Sequence, residues 1–217
     1  MNPGLHPQHH PDELTLVDYA NDALDEASSL VVAAHVAMCP QCRKSVRNFE
    51  KLGGVLLEAL PVSERLVCDS LLLERHETQT QHAASSIFVE DTAQPRVERL
   101  LALYPSQDWR WLGPGIRWKP LVPAGEDGVR AFLLKAHPGT RMPHHSHDGI
   151  EWTQVLTGAF AHEFGRYGPG DFDGADESTL HRPIVEDGVE CICVVAMKGQ
   201  LQLQGLAGRL LQPLVRF

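Results

Sequence analysis

The sequence predicts two architectures in series, a small α-helical unit followed by an all-β sandwich or barrel. Three observations carry this. In the first third, Leu, Val and Ala recur at spacings near three and four, the helical period. After Pro95, glycine and proline crowd the chain, and short β-rich runs alternate with Asp-Gly, Pro-Gly and Gly-Pro-Gly turns. The charge also divides: of the 217 residues, those before Gln94 carry 14 acidic and 6 basic side chains, and the rest 14 and 13. The chain is therefore expected to fold as a helical domain over 1–75, a linker over 76–95 and a β domain over 96–217.

Taken in order, helices are expected at 12–20, 24–38, 40–60 and 63–74. Asp12 suits an N-cap, and Pro40 suits the first turn of a helix, where its missing N–H costs nothing. Residues 76–94 are rich in Gln, Thr, Ser and Ala and read as a linker that docks at most the Ile87-Phe88-Val89 segment. The clearest strands are 129–134, 151–156, 180–185 and 191–197. Trp109, Trp111, Trp118 and Trp152 are expected to pack the barrel and the junction between domains, and Cys68 to sit in a helical core.

Composition excludes several classes. No apolar run approaches the roughly 18 residues needed to span a bilayer, and the start of the chain has no basic or apolar leader pattern, so a cytoplasmic protein is expected. The formal charge of -9 disfavours direct nucleic-acid binding. Five cysteines make a poor disulfide framework, which turns attention to metal and thiol chemistry, and 12 histidines stand beside them.

The first constellation is His35-x3-Cys39-x2-Cys42. His35 and Cys39 fall one turn apart on a helix face, and Cys42 follows just past Pro40. Tetrahedral zinc needs a fourth ligand, and the His9-His10 pair before the first helix can return to this end. His10 is favoured, with His6 and His9 kept open. The competing readings are small core cysteines or a redox Cys-x2-Cys, the latter without the βαβ surroundings it needs. A structural zinc ion in so small a unit contributes on the order of 10 kcal/mol of coupled folding free energy.

The second constellation is Gly139-x5-His145-x-His147-x3-Glu151-x6-Gly158. On an extended strand His145 and His147 share a face, Glu151 rejoins it after Asp148-Gly149, and His181 arrives from a later strand. His144 alternates to the opposite face. Imidazole and carboxylate together suit zinc, iron(II), manganese or nickel, and ligand types do not choose among them. Cys191 and Cys193 also share a face, about 7 Å apart by strand rise, and sit in an apolar run that suits core packing.

The stretch from Gly139 to Gly158 resembles the first motif of the cupin superfamily, a double-stranded β-helix or jelly roll. The second cupin motif is looser: Gly168-Pro169-Gly170-Asp171 precedes His181 by a long interval, and Val185 stands where Asn is customary. That departure argues against ordinary cupin dioxygenase chemistry. His10 with His35-x3-Cys39-x2-Cys42 resembles the zinc-binding anti-sigma domain, and the two parts in this order resemble the ChrR family of anti-sigma factors over most of the chain. The resemblance implies a non-enzymatic regulator. Its helical domain would sequester an extracytoplasmic-function sigma factor, and its cupin would sense singlet oxygen or related oxidants and release that partner. It also makes Cys191 and Cys193 candidate oxidant-responsive thiols. Self-association is left open. The alternative is a cupin-type metal-dependent dioxygenase or lyase with a helical accessory domain, and a third reading is a cupin that regulates by binding a small molecule.

Overall fold

The computed structural model describes residues 6–60, 93–105 and 107–204. The expected helix at 63–74, most of the linker and Cys68 lie outside them. The N-terminal unit is built from α1 (Glu13–Ala20), α2 (Glu26–Met38) and α3 (Pro40–Glu58). Their starts are set by side chains that accept the unpaired N–H groups of a first turn. Asp12 accepts from Thr15 N and Asp25 from Ser28 N. Cys39 ends α2 and begins α3: its Sγ accepts from Cys42 N while Pro40 occupies the first turn. The corner between these helices is therefore the Cys-x2-Cys segment itself.

A fourth helix, α4 (Ala93–Leu101), was not expected from a stretch read as the end of a linker. Val97 and Leu100 are buried along it, and Leu100 packs into the core beneath α2. Tertiary packing thus supports a helix that local composition does not announce.

The β part has strands β1 (Arg110–Gly113), β2 (Ile116–Val122), β3 (Val129–Ala136), β4 (His145–His147), β5 (Glu151–Thr157), β6 (Phe160–His162), β7 (Gly165–Tyr167), β8 (Phe172–Ala175), β9 (Ile184–Val185), β10 (Cys191–Lys198) and β11 (Leu201–Leu203). One antiparallel sheet runs β1-β2-β3-β10-β5-β8, and the smaller sheets β11-β4 and β7-β6-β9 close over it. The expected strand at 180–185 is only β9, with His181 joined to His145 by an isolated bridge.

β10 is apolar throughout because both faces are covered. Cys191, Cys193, Val195 and Met197 point into the barrel with Phe132, Val155 and Phe160. Val194 and Ala196 point outward to α2, where Ala27, Leu30, Val31 and Ala34 pack with Leu121, Val129 and Phe172. The other side of α2 packs Val32 and Val36 against Leu16, Cys39, Cys42 and Val46. α2 is buried all round, so its sequence lacks the polar stripe of a surface helix. Trp152 touches both helical cores as expected, whereas Trp111 is 68% exposed and packs neither.

Candidate metal centres

Alternation along β5 positions two centres on opposite sides of one strand. Glu151, Thr153 and Val155 share one face, toward the barrel interior, whereas Trp152 and Gln154 face the helices.

On the helical side, His10 Nδ1, His35 Nε2 and the Cys39 and Cys42 sulfurs all lie within 4.8 Å of one another. His35 Nε2 is 3.2 Å from Cys42 Sγ, and His10 Nδ1 is 3.4 Å from His35 Nε2, 3.5 Å from Cys39 Sγ and 3.4 Å from Cys42 Sγ. A tetrahedron with zinc–nitrogen bonds of about 2.0 Å and zinc–sulfur bonds of about 2.3 Å has edges of about 3.3 to 3.8 Å. The donor atoms thus match that frame in type and spacing. The Cys39 thiol is held well below the ordinary thiol range by its hydrogen bond with Cys42, whose own thiol is pushed up in return. A divalent cation would hold both sulfurs as thiolates.

The N-terminal segment carries His10 to this point and turns its neighbour away. His9 lies over the Tyr167 ring at 4.4 Å between centroids, and His6 is exposed.

Inside the barrel, His145, His147, Glu151 and His181 bring their ligand atoms within 4.8 Å of one another. His181 Nε2 lies 3.0 Å from His145 Nε2 and 3.2 Å from His147 Nε2, while His147 Nδ1 is 3.4 Å from Glu151 Oε2. His145 Nδ1–H donates to Pro143 O at 2.9 Å, which leaves the Nε2 lone pair facing the cluster. Burial pushes the pKa values of His145 and His147 down and that of His181 to about 3, so all three imidazoles are neutral. His181 Nε2 can donate to only one of its two neighbours, and a cation among the three nitrogens would accept a lone pair from each of them. Burial also pushes Glu151 up. His144 points away and meets Glu163 at 3.1 Å on the surface.

His162 and Asp173 complete a third group with His181 that the sequence reading did not single out. His162 Nδ1 accepts from Phe164 N, so its proton sits on Nε2 and is donated to Asp173 Oδ2 at 2.9 Å. In that tautomer His162 braces Asp173. It offers no lone pair to an ion.

Cys191 and Cys193 are buried, with their sulfurs 3.7 Å apart. This corrects the spacing of about 7 Å expected from strand rise: the two side chains lean together. They line a cavity of ≈ 40 Å³ with Glu151, Asp173 and His181. The hydrogen bond with Cys193 lowers Cys191, making it the more acidic thiol of the pair.

Comparison with known proteins follows the same two-part division. Residues 98–201 match the family model described as ChrR Cupin-like domain, and residues 15–43 match the one described as "Putative zinc-finger". The anti-sigma-E factor ChrR of Cereibacter sphaeroides is 35% identical over 215 residues, 96% of this chain and 98% of that protein. Among solved structures, Rhodobacter sphaeroides SigE in complex with the anti-sigma ChrR gives a TM-score of 0.67 at 36% identity, covering 88% of this chain and 99% of the matched one.

Proposed function

This chain belongs to the ChrR family of anti-sigma factors, and on that footing we propose that it sequesters an extracytoplasmic-function sigma factor through its helical unit and yields it when the barrel is chemically altered. The observation that carries this reading is the full-length kinship, which spans both units in the same order. It places a regulator above the dioxygenase alternative. The division into helical domain 1–75, linker 76–95 and cupin 96–217 follows the same reading.

Both units carry metal-binding groups. The Cys2His2 set of His10, His35, Cys39 and Cys42 suits structural zinc, supported by its donor spacings. The set of His145, His147, Glu151 and His181 suits zinc, iron(II), manganese or nickel. Bound in the helical unit, zinc would tie the start of the chain to the corner between α2 and α3. The chain's own residues do the rest: α2 anchors the unit to the sheet, and the C-terminal half of α3 presents Leu52, Val55, Leu56 and Leu57, each more than half exposed, to a protein partner. No described helix is long and apolar enough to cross a membrane, and a cytoplasmic location fits a partner of this kind.

Cys191 and Cys193 are the thiols suited to oxidant sensing, since they stand close together beside the barrel cluster. A peroxide would take two electrons from them, forming one S–S bond and releasing water and an alcohol.

Co-expression with a candidate sigma factor, followed by copurification and elemental analysis, tests the reading. Wild type should copurify with about one partner and carry zinc, and Leu56→Asp should lose the partner while keeping its metal. Failure of the wild type to retain any such partner would overturn the assignment. Cys191→Ser/Cys193→Ser should keep the complex but resist peroxide-driven release; undiminished release would remove the thiols from the mechanism.

A further inference from the structure

We propose that the barrel positions both histidines of the helical cluster, His35 through Gln154 and His10 through Asp171, so that metal retention there depends on the helical unit being docked. The inference rests on reading that cluster as a metal site.

Gln154 is fully buried on the helix-facing side of β5. Its Nε2 donates to Val155 O at 3.1 Å, which turns Oε1 toward His35. His35 Nδ1 lies 3.0 Å from that oxygen and donates to it, leaving the Nε2 lone pair aimed at the thiols and His10. Nothing in the helical unit substitutes for this contact among the hydrogen bonds of the described residues. A metal-ligating imidazole takes its orientation and basicity from the acceptor on its other nitrogen, and here that acceptor belongs to the barrel.

His10 is held indirectly. It precedes α1 on an extended segment whose backbone is clamped just before it. Asp171 Oδ1 accepts from Gln8 N at 2.6 Å and from His9 N at 3.0 Å, while Oδ2 accepts from Gly168 N at 2.8 Å. Phe172 N donates to His9 O at 3.1 Å. Pro7 lies so close to Gly170, at φ +93°, that a β-carbon there would stand 2.8 Å from its ring. The segment closes one side of a cleft of about 500 Å³ lined by His9, His10, Asp12, Trp152, Tyr167 and Asp173. Gln154 and Asp171 therefore act together: separating the unit from the barrel removes an acceptor from one ligand and the clamp from the other in one motion.

The test uses the full chain, stripped of metal and reloaded with cobalt(II) or zinc. Thiolate-to-cobalt charge-transfer absorption reports the Cys2His2 cluster alone, because the barrel cluster has no sulfur ligand. Competition with a chromophoric chelator then gives affinity and loss rate. Gln154→Leu and Asp171→Ala should each weaken retention at the helical cluster by about 10- to 100-fold, with metal in the barrel cluster unchanged. Gln154→Glu, which restores an acceptor, should recover the loss. Glu190→Gln, which removes a surface ion pair with Lys135 elsewhere on the barrel, serves as the control and should leave retention as in wild type. Retention within twofold of wild type in both Gln154→Leu and Asp171→Ala would overturn the proposal, as would an equal loss in Glu190→Gln or no recovery in Gln154→Glu. A wild-type chain without any thiolate–cobalt band would instead overturn the underlying metal reading.

Discussion

At the scale of single residues, what distinguishes the two clusters is how each prepares its donors. The helical cluster pairs two thiols whose hydrogen bond lowers one and raises the other, whereas the barrel cluster uses imidazoles whose protonation is disfavoured by burial. The second device has a consequence for the metal-free chain. Unfolded histidine takes up a proton near pH 6.5, but folded His181 does so only at about 3, and His145 and His147 are also shifted down. Between those limits the unfolded chain binds more protons, so stability falls as pH drops below about 6.5, by up to about 1.4 kcal/mol per pH unit for each histidine. Glu151 opposes this. Its folded pKa is raised, so its contribution is present at low pH and lost as pH rises through that folded value. Three imidazoles outweigh one carboxyl, and the metal-free Tm is expected to fall between pH 7 and 5. His181→Gln should flatten that slope, and a slope that stays the same would exclude His181 as a source.

At the scale of elements, α2 is the piece on which the helical unit depends. Leu30 is 2% exposed, in the core shared with the sheet. Leu30→Ala should cost about 2 to 5 kcal/mol in denaturant unfolding, whereas Asp12→Ala, which loses only a cap, should cost about 1 kcal/mol. A loss under 1 kcal/mol at Leu30 would mean that the helix does not bear on the sheet as described. The same elements show what is legible in the chain. α1 to α3, the Asp12 cap, the place of Pro40 and the strands β3, β5 and β10 follow from local periodicity and turn chemistry. Six of the eight candidate ligand positions follow from ligand type at short spacing, whereas His10 and His181 come from distant segments. Neither signal reaches Gln154, which meets His35 across 119 positions, or Asp171, which meets Gln8 across 163. Such outer contacts depend on which faces dock, and α4 was missed for the same reason. His162 lacked a spacing signal because its partner Asp173 comes from another strand.

At the scale of the whole molecule, helices and barrel share a core through α2, so stripping metal from the helical cluster should lower the thermal stability of the barrel as well. The charge pattern leads to a second expectation, about how the molecule finds its partner. Net charge is -5 over 1–75, -3 over 76–93 and -1 from Gln94 on, so most of the acidic excess travels with the helical unit. That unit also carries the exposed apolar residues of α3. Apolar contact sets how long a complex lasts, while long-range charge sets how often it forms. A basic surface on a sigma factor would be drawn to the helical side, and the nearly neutral barrel would contribute little to that pull. Raising salt from about 0.1 to 1 M shortens the screening length from about 10 to 3 Å. Stopped-flow association with the copurified partner should therefore slow across this range while the dissociation rate changes much less. Leu56→Asp should give the reverse pattern, with faster dissociation and association little slowed. An association rate indifferent to salt would show that the acidic excess serves solubility alone, and it would leave the apolar face of α3 as the whole basis of recognition.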